Sequence, residues 1–307
     1  MSLTSHLGSS KSPVSGWFQA HLADTAWLVR EENRRIRGGT GPWPWPCALP
    51  PPGGSDVALV GTATDQIVGA WLDVDRLRAG PMMQGAVLVD RVSAKYQSVA
   101  ASEVAAVTLE RLQPLLGQDG PSDADWDEVC RLAIVLARFE QAYRNPWRQL
   151  LRVVSYLKQS ADPFELGALM ADPATRADLE SVARQTLAMW EDLQEAEQLT
   201  LGPALICSEW LGGADADVLV GSRLMDLKTT AQRRPLSRAS LWQLLGYALA
   251  DSDDQHGIRE VGFLWPRWRK QSVWGLEHLL AITGGHETSL AALRGSFRRM
   301  CQKLPAA

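Results

Sequence analysis

The sequence predicts an α/β protein in which a large helical region precedes a smaller region that contains strands. From about residue 57 to residue 198, apolar residues recur at helical spacing, as in DEVCRLAIVLARFEQAYR. From residue 199 onward the pattern changes to short apolar runs typical of strands. Because 46% of the 307 residues are hydrophobic, the chain can bury a continuous core.

The chain divides into three segments by composition. Residues 1–56 contain a Ser-rich start that we expect to be loose, a helical pattern over residues 16–37, and a connector over residues 38–56. The prolines and glycines of this connector cannot continue a helix. Residues 57–198 form the mainly helical region, which we expect to pack on a core formed by residues 199–307.

The last segment mixes strand and helix patterns. A helix is expected from Arg238 to Ala250, and a basic helix over residues 287–303 closes the segment. The predicted helix at Arg238 therefore falls between the third and fourth strand candidates. The strand candidates are residues 199–211, 216–221, 223–230, 259–266 and 271–276.

Composition excludes several classes of protein. The formal net charge of -4 argues against a protein that coats nucleic acid through bulk charge. No P-loop is present, so no nucleotide cofactor is expected. The chain has neither a signal-peptide pattern nor an apolar run of the roughly 20 residues that span a bilayer. We therefore expect a cytoplasmic protein without a membrane partner. Four separate cysteines lack the spacing of zinc or iron–sulfur sites and are expected to be reduced: Cys47, Cys130, Cys207 and Cys301.

A predicted β-hairpin, GADADVLVGSRLMDLKTT, contains three aspartates and a lysine. If residues 221–222 form the turn, Asp217 faces Asp226, and Asp226 shares a strand face with Lys228. Two carboxylates about 4–5 Å apart repel by roughly 4 kcal/mol at an effective dielectric constant near 20. A divalent cation together with the ammonium group would relieve this repulsion, and carboxylate oxygens suit magnesium. The alternative is a surface hairpin with solvated acids and a salt bridge.

A second polar pair follows in the predicted helix LWQLLGYALAD. Gln243 and Tyr247 are four residues apart and therefore share one helix face. Such a pair can also serve the packing of a buried helix alone. In combination, however, the ordered series Asp217, Asp226-x-Lys228 and Gln243-x-x-x-Tyr247 resembles the PD-(D/E)XK nuclease superfamily, especially its RecB-like branch.

The resemblance covers roughly residues 199–280 and implies both a fold and a reaction. The fold is a restriction-endonuclease-like core with the element order αβββαβ, in which helices flank a mixed central sheet. The reaction is hydrolysis of DNA phosphodiester bonds with Mg²⁺ or Mn²⁺, by an endonuclease or an exonuclease. Repair, recombination and defence against phage or other foreign DNA are the processes that such an enzyme serves. Partners would be DNA and other subunits of a repair or defence complex.

The resemblance also assigns the metal ligands. Asp217 and Asp226, with the carbonyl group of Leu227, would hold one or two magnesium ions. The family's G-x-x-D pattern fits Asp215 as well, so both Asp215 and Asp217 are expected near the metal, with Asp217 ranked first. Family members often add an acid from an upstream helix. The candidates for this acid, in order of preference, are Glu140, Glu209 and Asp65.

The remaining site residues receive roles in chemistry and in binding. Lys228 would orient or help deprotonate the attacking water and offset charge in the transition state. Gln243 would position Lys228 or the water, and Tyr247 would contact a phosphate. Trp265, Trp268 and Trp274 could stack on bases, although core packing is favoured. Phosphate contacts are expected from Arg233, Arg234, Arg238, Arg267, Arg269 and Lys270.

Two other classes of function are compatible with the sequence. One is a catalytically inactive nucleic-acid-binding module that keeps the fold. The other is a structural subunit of a larger complex, which the long helical region and the 13 tryptophans favour. The intact set of Asp217, Asp226, Lys228 and Gln243 favours an enzyme.

Overall fold

A computed structural model of the chain describes residues 3–38, 47–93, 99–117, 120–194, 199–211, 216–285 and 289–304. The chain divides into two units. The first unit combines Met1–Cys47 with Asp192–Ala307, and the second unit is Ala48–Glu191. The N-terminal segment therefore belongs to the same unit as the C-terminal strands, and the second unit is inserted between them in the sequence.

Helices account for most of the second unit, whereas the first unit combines helices with strands. The first unit begins with α1 (Leu3–Gly8), α2 (Pro13–His21) and α3 (Ala26–Ile36). The second unit contains α4 (Val57–Leu72), α5 (Val74–Ala79), α6 (Pro81–Ser93), α7 (Ala101–Leu116), α8 (Trp126–Arg144), α9 (Pro146–Leu157), α10 (Pro163–Met170) and α11 (Pro173–Gln194), the last of which ends in the first unit. The first unit then continues with α12 (Arg238–Ala250), α13 (Leu276–Leu280) and α14 (Leu290–Cys301). None of the described helices is both long enough and apolar enough to cross a membrane.

In the described part of the first unit, five strands form one mixed sheet, so the predicted α/β class is confirmed. The strands lie in the order β1 (Leu199–Leu201), β2 (Val218–Val220), β3 (Arg223–Leu227), β4 (Glu260–Trp265) and β5 (Lys270–Gly275). Neighbouring strands are antiparallel except for β3 and β4, which are parallel. A parallel pair needs a crossover connection, and α12 supplies it.

The predicted hairpin register is confirmed. Val218 pairs with Met225 and Val220 with Arg223, which leaves residues 221–222 as the turn. Gly221 has a φ of +56°, a left-handed conformation that glycine adopts without steric cost. A slip of one residue would exchange the two faces of β3, so this register decides where the side chain of Asp226 points.

The core of the first unit packs helices from both ends of the chain against the sheet. Phe18 of α2 lies 5.4 Å from the ring of Trp242 on α12 and 5.8 Å from Phe297 on α14. Asn33 of α3 fixes the chain before α12, because its side-chain amide donates to the carbonyl of Leu236 at 2.8 Å and accepts from the same residue's N–H at 3.0 Å.

Three local expectations differ from the structure. The start of the chain is helical rather than loose, because Leu3 and Leu7 lie one turn apart and are both buried. The helix expected over residues 16–37 is two helices, since α2 ends at His21 and α3 begins at Ala26. Of the strand candidate 199–211, only Leu199–Leu201 is a strand.

The second unit is organised around α8. Its residues Leu132, Val135 and Phe139 are fully buried. Arg138 of the same helix is also buried, and its Nη2 atom donates to the carbonyl of Met170 at 2.9 Å. This helix therefore supplies both the apolar centre of the unit and a hydrogen bond to the end of α10.

Candidate functional site

The side chain of Lys228 joins β3 to α12. Its Nζ atom lies 2.6 Å from Oδ2 of Asp226 and 3.1 Å from Oε1 of Gln243. Since β3 ends at Leu227, Lys228 is the first residue beyond the strand, and 23% of its side chain is exposed. The structure thus brings together three of the predicted site residues, and one of them, Lys228, has a partly exposed side chain.

Asp226 is buried at the centre of this group, with 2% of its surface exposed. Its Oδ2 atom pairs with the ammonium group of Lys228 at 2.6 Å, without the geometry of a regular hydrogen bond. Burial raises the pKa of Asp226, and the positive charge of Lys228 opposes this effect. The carboxylate is therefore held in an environment that favours its protonation unless further positive charge is present.

Asp217 reaches the same strand from β2. Its Oδ2 atom accepts a hydrogen bond from the main-chain N–H of Leu227 at 2.6 Å. Because β2 begins at Val218, the predicted ladder pair between Asp217 and Asp226 is not formed. In a longer ladder, the N–H of Leu227 would donate to a main-chain carbonyl group. Here it donates to the side-chain carboxylate of Asp217 instead. Asp217 is thus anchored at the residue that follows Asp226. Asp215, the alternative first acid, lies outside the described residues.

Helix α12 orients the amide of Gln243. The helix is capped by Ser237, whose hydroxyl oxygen accepts from the N–H of Ser240 at 3.0 Å. The Nε2 atom of Gln243 donates to the hydroxyl of Tyr247 at 2.8 Å, which leaves its oxygen for Lys228. Tyr247 is only 5% exposed, so its expected contact with a phosphate is not supported by this geometry. Its hydroxyl group instead helps to fix the amide that holds Lys228.

Helix α1 contributes a residue that the sequence analysis missed. The hydroxyl oxygen of Thr4 accepts the second hydrogen bond from Nε2 of Gln243, at 2.9 Å. Close packing permits this contact, because a Cβ atom on Gly246 would lie only 2.9 Å from Cδ2 of Leu3. The available signals were the helical spacing of Leu3 and Leu7 and a glycine in the interior of a helix.

The carboxylate of Glu32 on α3 is also buried, and it binds a residue on the sheet face that carries Asp226. Asp226 is aligned with Phe263, and Phe263 with Ser272, so the three side chains share one face. The hydroxyl of Ser272 donates to Glu32 of α3, which also pairs with Arg35 at 2.5 Å. Glu32 is thus fully engaged in attaching α3 to β5.

The segment after β4 donates hydrogen bonds to the two residues that follow Lys228. Arg267 is fully buried, and its Nε atom donates to the carbonyl of Thr229 at 2.6 Å. The indole N–H of Trp268 donates to the carbonyl of Thr230 at 3.0 Å. The expectation that Arg267 contacts phosphate is therefore wrong for this conformation, because its side chain is engaged inside the protein. Trp265 and Trp268 are buried, as the core interpretation predicts.

The other predicted phosphate contacts remain on the surface. The guanidinium group of Arg238 lies 4.8 Å over the ring of Trp242, at the start of α12. Arg269 has a φ of +50°, a conformation that holds it in the tight connection between β4 and β5. The exposed members of the set are Arg233, Arg234, Arg238, Arg269 and Lys270.

The three candidates for an upstream acid belong to three different parts of the chain. Glu140 belongs to α8 of the second unit, where its carboxylate accepts from Gln66 at 2.5 Å and from Arg144 at 2.6 Å. Asp65 is an exposed residue of α4, and Glu209 is exposed in the turn after β1. In the described parts of the chain, no group of three or more His, Cys, Asp and Glu residues could hold a metal, so Asp217 and Asp226 are a pair of acids.

Comparison with family models, with curated proteins and with solved structures found no match to this chain.

Proposed function

We propose that the protein is a metal-dependent nuclease that hydrolyses phosphodiester bonds in DNA, with Asp217, Asp226 and Lys228 at its active site. The observation that carries the proposal is the position of Lys228. Its ammonium group lies between a buried carboxylate and an oriented amide, and 23% of the side chain is exposed to solvent. A structural ion pair needs no such opening, whereas a phosphodiester has to reach the group that stabilises it.

The residues present fit a magnesium ion. Carboxylate and carbonyl oxygens are the ligands that magnesium prefers, and Asp217, Asp226 and the carbonyl of Leu227 would supply them. The fit rests on the buried carboxylate of Asp226, whose Oδ2 atom pairs with Lys228 without the geometry of a regular hydrogen bond. When bound, the ion supplies positive charge that polarises a phosphoryl oxygen and favours ionisation of the attacking water.

The side chains of the chain itself divide the remaining tasks. Lys228 offsets the negative charge that grows on the phosphoryl group and orients the attacking water. Gln243 holds the ammonium group in place, and Thr4 and Tyr247 hold Gln243. These last two are positioning residues, because they act through the amide.

The topology also supports the proposal. Helices of the N-terminal segment, the strands β1 to β3, the helix α12 and the strand β4 follow one another in the first unit, which corresponds to the expected order αβββαβ. The sheet is mixed, and its parallel pair joins β3, which carries Asp226, to β4. The long insertion of the second unit separates the first helices from β1.

The test is cleavage of linear and of circular DNA by the purified full-length chain, with magnesium and with EDTA. We expect cleavage that needs magnesium and is lost in Asp226→Ala and in Lys228→Ala. Asp75→Ala is the matched control, because the side chain of Asp75 is 83% exposed on the second unit. If the parent protein cleaves nothing with any divalent metal, or if Asp226→Ala cleaves as the parent does, the chain is a binding or structural subunit instead.

A further inference from the structure

Helix α9 of the second unit presents large apolar side chains to water. Trp147 is 95% exposed and Leu151 is 74% exposed. The two residues are four positions apart, so they lie on one face of the helix. Single exposed apolar residues are common on protein surfaces, but an indole and an isobutyl group side by side form a patch. This patch has a high free energy in water and gains stability when a partner covers it.

The segment that contains this helix is basic. Four basic residues and no acidic residue occur from Gln141 to Ala161, although the whole chain has a net charge of -4. Arg148 and Arg152 follow Trp147 and Leu151 by one position each, so a basic stripe runs beside the apolar one. Neither arginine forms an ion pair with a described carboxylate, and the Nε atom of Arg152 donates to the hydroxyl of Tyr156 at 3.1 Å. Two cationic groups are therefore available to an anionic ligand.

A pocket in the same unit combines the same two kinds of groups. It has a volume of about 360 Å³ and is lined by apolar side chains, the phenol of Tyr143 and the guanidinium groups of Arg78 and Arg91. Tyr143 lies at the end of α8, four residues before Trp147, and is itself 44% exposed. The volume lies within the range of sites for small organic groups, roughly 300–1,000 Å³. The apolar lining residues are Met83, Val87 and Leu88.

We propose that α9 and this pocket bind single-stranded nucleic acid. Bases have apolar faces that stack on aromatic rings, and the phosphates between them pair with guanidinium groups. Trp147 and Tyr143 supply the rings, and Arg91, Arg148 and Arg152 supply the charge. In a duplex the bases stack on one another and cannot lie on an exposed indole, so the surface favours a single strand. The inference goes beyond the proposed cleavage, because binding at this surface requires no catalysis.

The experiment is fluorescence anisotropy of a labelled oligothymidylate with the full-length chain in EDTA, which prevents cleavage. We expect the parent to bind the single strand more tightly than a labelled duplex. Trp147→Ala should weaken binding about tenfold, as expected for the loss of one stacked base. Trp27→Ala is the matched control, because Trp27 is an exposed tryptophan, 59% accessible, on α3 of the first unit. It should bind as the parent does.

Charge reversal tests the phosphate contacts separately. Arg148→Glu combined with Arg152→Glu should weaken binding and reduce the slope of log K against log salt concentration by about 1.4, since each contact to a single strand contributes about 0.7. Arg30→Glu combined with Arg34→Glu, two exposed positions on α3, controls for the same change in total charge. Because all these side chains are on the surface, circular dichroism should show that the variants remain folded.

The outcomes separate this inference from the proposed cleavage. Binding that depends on Trp147 and on the two arginines supports the inference, even if the parent cleaves no DNA. Binding by Trp147→Ala and by the double variant that equals the parent's overturns it, even if the parent cleaves. In that case a protein with an acidic, apolar helix is the better candidate for this surface.

Discussion

Two clusters of aspartate and a basic residue lie along α12, and their differences indicate which one has a function beyond stability. At the C-terminal end, Arg294 donates to Asp251 at 3.2 Å and to Asp254 at 2.5 Å. Nearer the N-terminal end, Lys228 approaches Asp226 at 2.6 Å and Gln243 at 3.1 Å. Both clusters pair a buried carboxylate with a cation.

The arginine cluster is fully satisfied. Both carboxylate oxygens of Asp251 accept hydrogen bonds, one from Arg294 and one from the N–H of His256 at 3.2 Å. Asp254 receives further donors from Arg259, at 2.7 and 2.6 Å. The fixed fork of donors in arginine matches this arrangement, which ties α14 to the end of α12. Both oxygens of the buried Asp251 are therefore satisfied within the protein.

The lysine cluster is incomplete by comparison. Oδ2 of Asp226 pairs with Lys228 without the geometry of a regular hydrogen bond, and the side chain of Lys228 is partly exposed. Buried polar atoms in proteins usually form regular hydrogen bonds, so an exception of this kind needs an explanation. The cation and phosphate site that we propose would account for both features. The predictions below test this contrast.

The largest effect on stability should come from the arginine cluster. Arg294→Ala leaves Asp251 buried without its cation, which should lower the free energy of unfolding by about 3–5 kcal/mol. Urea denaturation followed by circular dichroism measures this change. Arg299→Ala, an exposed position on the same helix, is the control and should change stability little. A loss no larger in Arg294→Ala than in this control would contradict a structural role for the cluster.

A change in the lysine cluster should affect DNA cleavage more than stability. Lys228→Ala should reduce DNA cleavage by about 10²- to 10³-fold, the range for loss of one group that stabilises charge in a transition state. Its cost in stability should be smaller than that of Arg294→Ala, because the raised pKa of Asp226 allows this carboxyl to take up a proton. Lys11→Ala, at an exposed lysine, is the control for both measurements. Unchanged cleavage with a large loss of stability would make the two clusters equivalent.

A smaller effect is expected from the residues that hold the amide. Gln243→Leu should reduce cleavage about tenfold, and Thr4→Val about fivefold, since one net hydrogen bond is worth about 1 kcal/mol. The double variant should be no slower than Gln243→Leu alone, because Thr4 acts only through Gln243. Cleavage rates of the parent, the two single variants and the double variant at saturating DNA test this expectation. Additive losses would show that Thr4 has a separate role.

The smallest effects concern pH, and here the two clusters should have opposite signs. Hydrogen bonds from Arg259 and Arg294 lower the pKa of Asp254, so this residue stabilises the fold above its ordinary pKa of 3.8 and loses that contribution as the pH falls further. Because Asp254 is largely exposed, Asp254→Asn should cost at most about 1 kcal/mol near neutral pH and less near pH 3.

Burial has the reverse consequence for Asp226. Its raised pKa means that it favours folding below its ordinary pKa of 3.8, and that this contribution is lost as the pH rises through the higher value in the folded state. The stability of Asp226→Asn relative to the parent should therefore rise between pH 4 and pH 7. Thermal unfolding in metal-free buffer measures both slopes. If the stability of both variants relative to the parent changed with pH in the same direction, the contrast between the two clusters would be contradicted.

Local patterns predicted those parts of the site that depend on local geometry. The alternation of apolar residues gave the register of the hairpin, and helical spacing gave α12 with both of its ends. The register in turn placed Asp226 and Lys228 together, because alternate residues of a strand share a face.

The parts that were missed depend on contacts between distant residues. Thr4 could not be predicted because its contact with Gln243 joins the two ends of the chain. The burial of Arg267 depends on the carbonyl of Thr229, which no charge pattern reveals. The predicted ladder pair of Asp217 and Asp226 is not formed, because the N–H of Leu227 donates to the side chain of Asp217 rather than to a main-chain carbonyl.

The contact between Thr4 and Gln243 spans 239 residues of sequence, with the second unit encoded between them. During translation, the N-terminal helices emerge from the ribosome long before the strand and helix that they complete. The nascent chain consequently holds an unfinished site until the second unit has been made and the last strands have been released. The cleavage that we propose would therefore begin only after the residues of β3 and α12 have been synthesised.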